Sequence, residues 1–241
     1  MLLNGVLFNS ESWHNVSKND LNLLEKVDEA LLRGLMGAHS KIPLEALFLE
    51  TSSIPIQYVV SSRRLMYLHS ILQRSPNELV KKLFEAQRAE PSPGDFCKLV
   101  DEDIEQIGLA MSDTEIKCMS KDNYKKIVKS KIRQAAFQHL ESLKQQHSKM
   151  DGIRYEKFAK AEYLSSPLFD CESRKLLLAL RTRAVNGIRN DFRGRYPDIK
   201  CPLMCDKNDT LQHILECVIL KSHHTNNMIW YGDIQYQDCL T

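Results

Sequence analysis

KNDLNLLEKVDEALLRGLM, residues 18–36, decides the class of fold. Its apolar positions Leu21, Leu24, Val27, Leu31, Leu32 and Leu35 recur at intervals of three and four, the spacing that lines one face of an α-helix. Asp20 falls in the first turn, where a negative charge meets the positive end of the helix dipole, and Gly37 follows the last turn as a stop. The same period extends along the chain. Pro43 opens a short helix through Leu49. Residues 55–72 follow, with Tyr58, Val59, Leu65, Leu68 and Leu72 on one side and Arg63, Arg64 and Arg74 available for the other. Further helices are predicted over 76–88, over the acidic stretch 96–107, over 120–147 on Tyr124, Ile127, Ile132, Ala135, Phe137, Leu140 and Leu143, and over 172–189 on Leu176, Leu177, Leu180 and Val185. The fold class predicted is mainly α.

Two stretches interrupt this pattern. EPSPGDF, residues 90–96, concentrates two prolines and a glycine, and a domain boundary is expected there. Residues 148–170, with Asp151, Gly152 and the Ser165 to Pro167 turn, read as a connector. The expected organisation is a helical domain over 1–89, a helical linker over 90–170, a basic helix and arm over 171–200, a metal-binding knuckle over 201–217 and a tail over 218–241.

Hydrophobic residues make up 43% of the 241, enough for a substantial core. The opening MLLNGVLFNSESW is apolar, but it contains Asn4 and Asn9 and no basic residue before Lys18. It therefore matches neither a signal peptide nor a membrane span. A soluble, intracellular protein of the cytoplasm or nucleus, without a membrane partner, is expected. The net charge of +2 conceals an asymmetry: residues 1–118 hold 12 basic and 17 acidic side chains, and residues 119–241 hold 21 basic and 14 acidic. A polyanion would be drawn to the second half. Part of that charge is Lys121, Lys125, Lys126, Lys129, Lys131 and Arg133, which together spread too widely around a helix axis to make one stripe.

The most specific chemical signal is CPLMCDKNDTLQHILEC, residues 201–217. Cys201 and Cys205 flank a short loop that can turn around one ion. His213 and Cys217 are four apart, the spacing of one helix face, with Asp209 or Thr210 placed to cap that helix. Three thiolates and an imidazole suit one tetrahedral Zn2+. Because four protein ligands leave no open position, the site is structural or serves recognition rather than catalysis. His223 and His224 could substitute but lack the helical pairing with Cys217. Cys97, Cys118, Cys171 and Cys239 have no such neighbours and are expected as buried, reduced thiols.

Leading into the cluster is a basic strip in which Arg181, Arg183, Arg189, Arg193, Arg195 and Lys200 are the candidate contacts to a nucleic-acid backbone, with Phe192 and Tyr196 interleaved. Guanidinium forks match phosphate oxygens, and aromatic rings can stack on unpaired bases or pack internally. Gly194 lets the backbone between Arg193 and Arg195 approach closely. Trp13 and Trp230 read as core or docking anchors. No phosphate-binding loop, dinucleotide fingerprint, nucleophile elbow or HExxH helix occurs. Asp101, Glu102 and Asp103 could in principle serve a two-metal centre but read as a solvated acidic face, and Asp233 stands alone.

Taken in order, these residues resemble the C-terminal portion of the reverse transcriptases encoded by non-LTR retrotransposons. LLNGVLFNSESW, residues 2–13, looks like the passage from palm to thumb, with Ser10, Glu11, Ser12 and Trp13 at its end. Residues 24–74 are similar to the helical thumb. LLLALRTRAVNGIRNDFRGRYPDIKCPLMC, residues 176–205, leads into a cluster similar to the family's zinc knuckle, carried by Cys201, Cys205, His213 and Cys217. The three residues between His213 and Cys217 depart from the four common in the family. The resemblance implies that the thumb holds a template-primer duplex, while the linker and knuckle position RNA or target DNA. The family is RNA-directed DNA polymerase, but its paired catalytic aspartates would lie upstream of Met1. This chain is accordingly expected to bind RNA or DNA rather than to catalyse, with the parent palm domain as a further partner if the gene is truncated. The alternative is a helical structural or interaction protein with a purely structural zinc.

Overall fold

The computed structural model describes residues 5–13, 16–146, 150, 153 and 157–182. They are mainly helical, with no strand among them. After a 3-10 turn at Ser10–Ser12 come α1 (Lys18–Met36), α2 (Leu44–Thr51), α3 (Ile56–Leu72), α4 (Leu79–Ala89), α5 (Phe96–Ile107), α6 (Asp113–Cys118), α7 (Lys121–Lys144), α8 (Glu162–Ser165) and α9 (Cys171–Arg181). None of these is long and apolar enough to cross a membrane.

The ends of the helices follow local chemistry. Asp20 Oδ2 accepts from the Ser17 amide at 2.9 Å and the Ser17 hydroxyl at 2.7 Å, and Ser17 Oγ accepts from the Asp20 amide at 3.2 Å. This reciprocal exchange satisfies amides that a helix start leaves without partners. Gly37, at φ 58°, ends α1 as its position in the sequence implied. Helix α4 begins at Leu79 rather than at Pro76. Glu78 explains the delay: its carboxylate accepts from the Ser75 amide at 3.1 Å and from Arg74 at 2.6 Å, holding the preceding residues in a turn. The sequence reading missed α6, which starts on a full capping box between Ser112 and Glu115.

The described residues fall into two compact units, each built from two separated stretches of chain. The first combines residues up to Leu31 with Ser52–Ser142. At its centre α3 is buried nearly all round, from Ile56 and Tyr58 to Ile71 and Leu72. Leu65, Leu68, Ile71 and Leu72 share one core with Phe84 of α4, Cys97, Val100 and Ile107 of α5, Ile116 of α6 and Tyr124, Val128, Ile132 and Ala136 of α7. The break expected at residues 90–96 lies within this core. Gly94 adopts φ 85° and reverses the chain, returning α5 onto α4, so that Phe84 and Phe96 meet with ring centroids 6.5 Å apart. A smaller cluster joins Leu7, Ile56 and Val60 to the partly buried Trp13, Leu21 and Leu24, which makes Trp13 a packing residue.

The second unit combines Leu32–Thr51 with the described residues from Leu143 onward. Helix α2 is its most apolar element: Ala46, Leu47, Phe48 and Leu49 are all 2% exposed or less. Arg33 donates to the carbonyls of His39 and Ile42, both at 2.8 Å, and closes the loop between α1 and α2. Within the stretch expected as a connector, Met150 and Ile153 are fully buried and the short helix α8 forms.

Candidate functional site

The four candidate zinc ligands, Cys201, Cys205, His213 and Cys217, lie outside the described residues, as do Arg183, Arg189, Arg193, Arg195 and Lys200. Of the expected nucleic-acid contacts the structure describes Arg181. Its Nε donates to Glu50 Oε1 at 2.7 Å, and the Glu50 side chain has no solvent exposure. The Glu50 carbonyl in turn accepts from the Ala161 amide at 2.8 Å. Glu50 thus binds two later stretches of its unit to α2, and Arg181 sets a cation beside a side chain that is withdrawn from solvent. Arg181, expected as a phosphate contact, is thus engaged within its own unit. Nothing in the sequence marks Glu50, since it closes an apolar run, ALFLE, where a terminal acid looks like a return to solvent.

A second buried pair was also missed. Asp103, expected on a solvated acidic face, is 5% exposed. Its Oδ1 accepts from the Ser61 hydroxyl at 2.6 Å, and Arg64 lies 3.4 Å from Oδ2. Helical spacing carried the signal: Asp103 sits within the Val100, Ile104, Ile107 stripe, and Arg64 lies between Val60 and Leu68. Its neighbour Asp101 does face outward, paired with Arg88 at 2.6 Å. Burial pushes the Asp103 carboxyl up to about 6, against the opposing pull of the Arg64 charge and the Ser61 hydroxyl.

This shift has a definite consequence for stability. A carboxyl whose folded pKa is raised binds its proton more tightly when folded, so it favours the native state at low pH and opposes it as pH rises towards 6. Relative to Asp103→Asn, the wild-type chain should lose about 2 kcal/mol of unfolding free energy between pH 4 and pH 6, with a slope that approaches about 1.4 kcal/mol per unit midway and falls off towards pH 6. Urea titrations of both chains across that range test this, and parallel curves would show that Asp103 titrates normally.

Among the thiols, Cys97 is buried as expected, and burial pushes it up to about 11. Cys118 and Cys171, expected inside, are exposed. They are the last residue of α6 and the first of α9, positions at helix ends that the packing leaves in solvent. Cys239 lies outside the described residues, as do Trp230 and Asp233. His69 stacks on Tyr124 with centroids 5.1 Å apart and an interplanar angle of 21°, and its Nε2 is 3.0 Å from the Met119 carbonyl. Both rings are buried and serve as packing. Among the described residues no group of three His, Cys, Asp or Glu side chains could hold a metal ion. An open groove lined by Ser12, Trp13, Val16, Asp20, Leu23, Leu24 and Val27 is largely apolar and offers no acid-base pair.

Charge on α7 is distributed differently. Lys121, Lys125, Lys126 and Lys129 are exposed, while Lys131 and Arg133 are half-buried. Arg133 donates to Ser52 Oγ at 2.8 Å. Tyr124, Val128, Ile132, Ala136 and Leu140 turn the other side of the helix into the core. No protein-family model, curated protein or solved structure matches this chain.

Proposed function

We propose that the chain binds RNA or DNA, as the C-terminal portion or a derivative of a non-LTR retrotransposon reverse transcriptase. One observation carries the reading: Cys201, Cys205, His213 and Cys217 stand at zinc-ligand spacing immediately after Arg189, Arg193, Arg195 and Lys200. The donor set of three thiolates and one imidazole fits a closed, structural Zn2+. Zinc would hold the knuckle together, and the arginines preceding it would supply forks for phosphate oxygens. The helical character of the described residues supports the thumb-and-linker part of the reading.

The competing reading, a structural or interaction protein stapled by zinc, draws on Arg181, whose charge is used inside the fold. Salt dependence separates the two. For the wild-type chain, log affinity for a single-stranded RNA should fall linearly with log salt, and Arg193→Gln with Arg195→Gln should flatten that slope by about 1.4, at about 0.7 per lost contact. One bound zinc with no salt-sensitive RNA or DNA affinity would establish the structural reading instead.

A further inference from the structure

We propose that Lys121, Lys125, Lys126 and Lys129 on α7 form a second nucleic-acid surface, one that grips the phosphodiester backbone of a duplex. The inference rests on the nucleic-acid reading above but uses a different part of the molecule. All four lysines are exposed, and none forms an ion pair among the described residues. Exposed lysines without an ion pair also occur singly elsewhere, at Lys82, Lys98 and Lys117; α7 differs in gathering four of them on one side of a helix.

At about 100° per residue, Lys125, Lys126 and Lys129 fall within an arc of about 100° beside the core-facing row, and Lys121 stands one turn below Lys125. The six basic residues of this segment do not make a stripe as a set, because Lys131 lies on the opposite flank, but these four share a side. Such placement does not serve the helix itself. Lys121 with Lys125 and Lys125 with Lys129 are like charges at i,i+4, which repel. Lys121 also occupies the first turn, where the helix dipole disfavours a cation and Asp122 is the sole acid. The helix is held instead by Tyr124, Val128, Ile132 and Leu140 in the core. The charges are free to serve a partner.

Their chemistry selects that partner. The row from Lys121 to Lys129 spans about 12 Å, a length over which duplex DNA presents about seven phosphate charges. Ammonium groups act as point charges and suit contact with a backbone without reading sequence. No large apolar side chain of α7 is exposed, so this helix lacks the greasy face that would insert into a lipid surface.

The test uses the full chain, a short mixed-sequence DNA duplex and fluorescence anisotropy from about 50 to about 200 mM salt. Replacing Lys121, Lys125, Lys126 and Lys129 by glutamine should reduce the slope of log affinity against log salt by about 3.6, at about 0.9 per lysine, with circular dichroism unchanged. Lysine-to-arginine replacements at the same positions should keep the wild-type slope. If the quadruple variant does not fold, Lys125→Gln and Lys129→Gln singly should each lower it by about 0.9. A wild-type chain that binds the duplex with a slope these variants leave unchanged overturns the inference and leaves the nucleic-acid reading standing. A wild-type chain that binds neither duplex nor single-stranded RNA removes both, and binding of phosphatidylserine vesicles in place of the duplex would assign the lysines to a membrane.

Discussion

Arg181→Ala should lower the unfolding free energy by about 3–5 kcal/mol, the usual cost of removing one partner from a buried ion pair. The effect arises less from the lost attraction than from what remains, a Glu50 carboxylate with no solvent exposure that has lost the guanidinium 2.7 Å away. Urea unfolding followed by circular dichroism measures it. Replacing both partners, Glu50→Leu with Arg181→Met, should restore much of the loss, since a packed apolar pair carries no desolvation penalty. If the single change costs under about 1 kcal/mol, water screens the pair and Arg181 does not anchor its unit.

Loss of the proposed zinc should have the largest consequence. Structural zinc in small knuckles contributes an apparent binding free energy of about 10–16 kcal/mol at neutral pH, and that energy is also the energy of folding the site. Cys205→Ser should reduce bound zinc from one per chain to none by elemental mass spectrometry, and RNA affinity should fall with it. The thiolates and imidazole must shed protons to bind, so zinc retention should weaken as pH falls. Should Cys205→Ser and His213→Asn each keep a full equivalent of zinc, those side chains are not ligands.

Helix positions were legible from sequence wherever an apolar stripe was long and its ends were marked. Lys18–Met36 and Phe96–Ile107 match their expected bounds because Gly37 and Gly108 supply the left-handed residues that stop them. Tertiary choices were harder to read. EPSPGDF has the composition of a linker, but whether a turn separates two cores or folds one core back on itself depends on where Phe84 and Cys97 find partners, and composition does not specify that. Charge was misread for a related reason. Single-sequence reasoning sends acids and arginines to solvent because burying a lone charge is costly. That cost falls when a partner arrives from a distant segment, as Arg64 does for Asp103 and Arg181 for Glu50. The metal-site reading draws instead on local spacing, the one kind of pattern a sequence displays directly.

The bond from Arg181 to Glu50 joins residues 131 positions apart, and this sets an order of events on the ribosome. At synthesis rates of about 5–20 residues per second, roughly 7–26 s pass between the synthesis of Glu50 and that of Arg181. Throughout that interval Ala46, Leu47, Phe48 and Leu49 lack the later part of their compact unit. The nascent chain therefore carries a sticky segment early in its life, a natural point of attachment for a chaperone and a hazard for a crowded polysome.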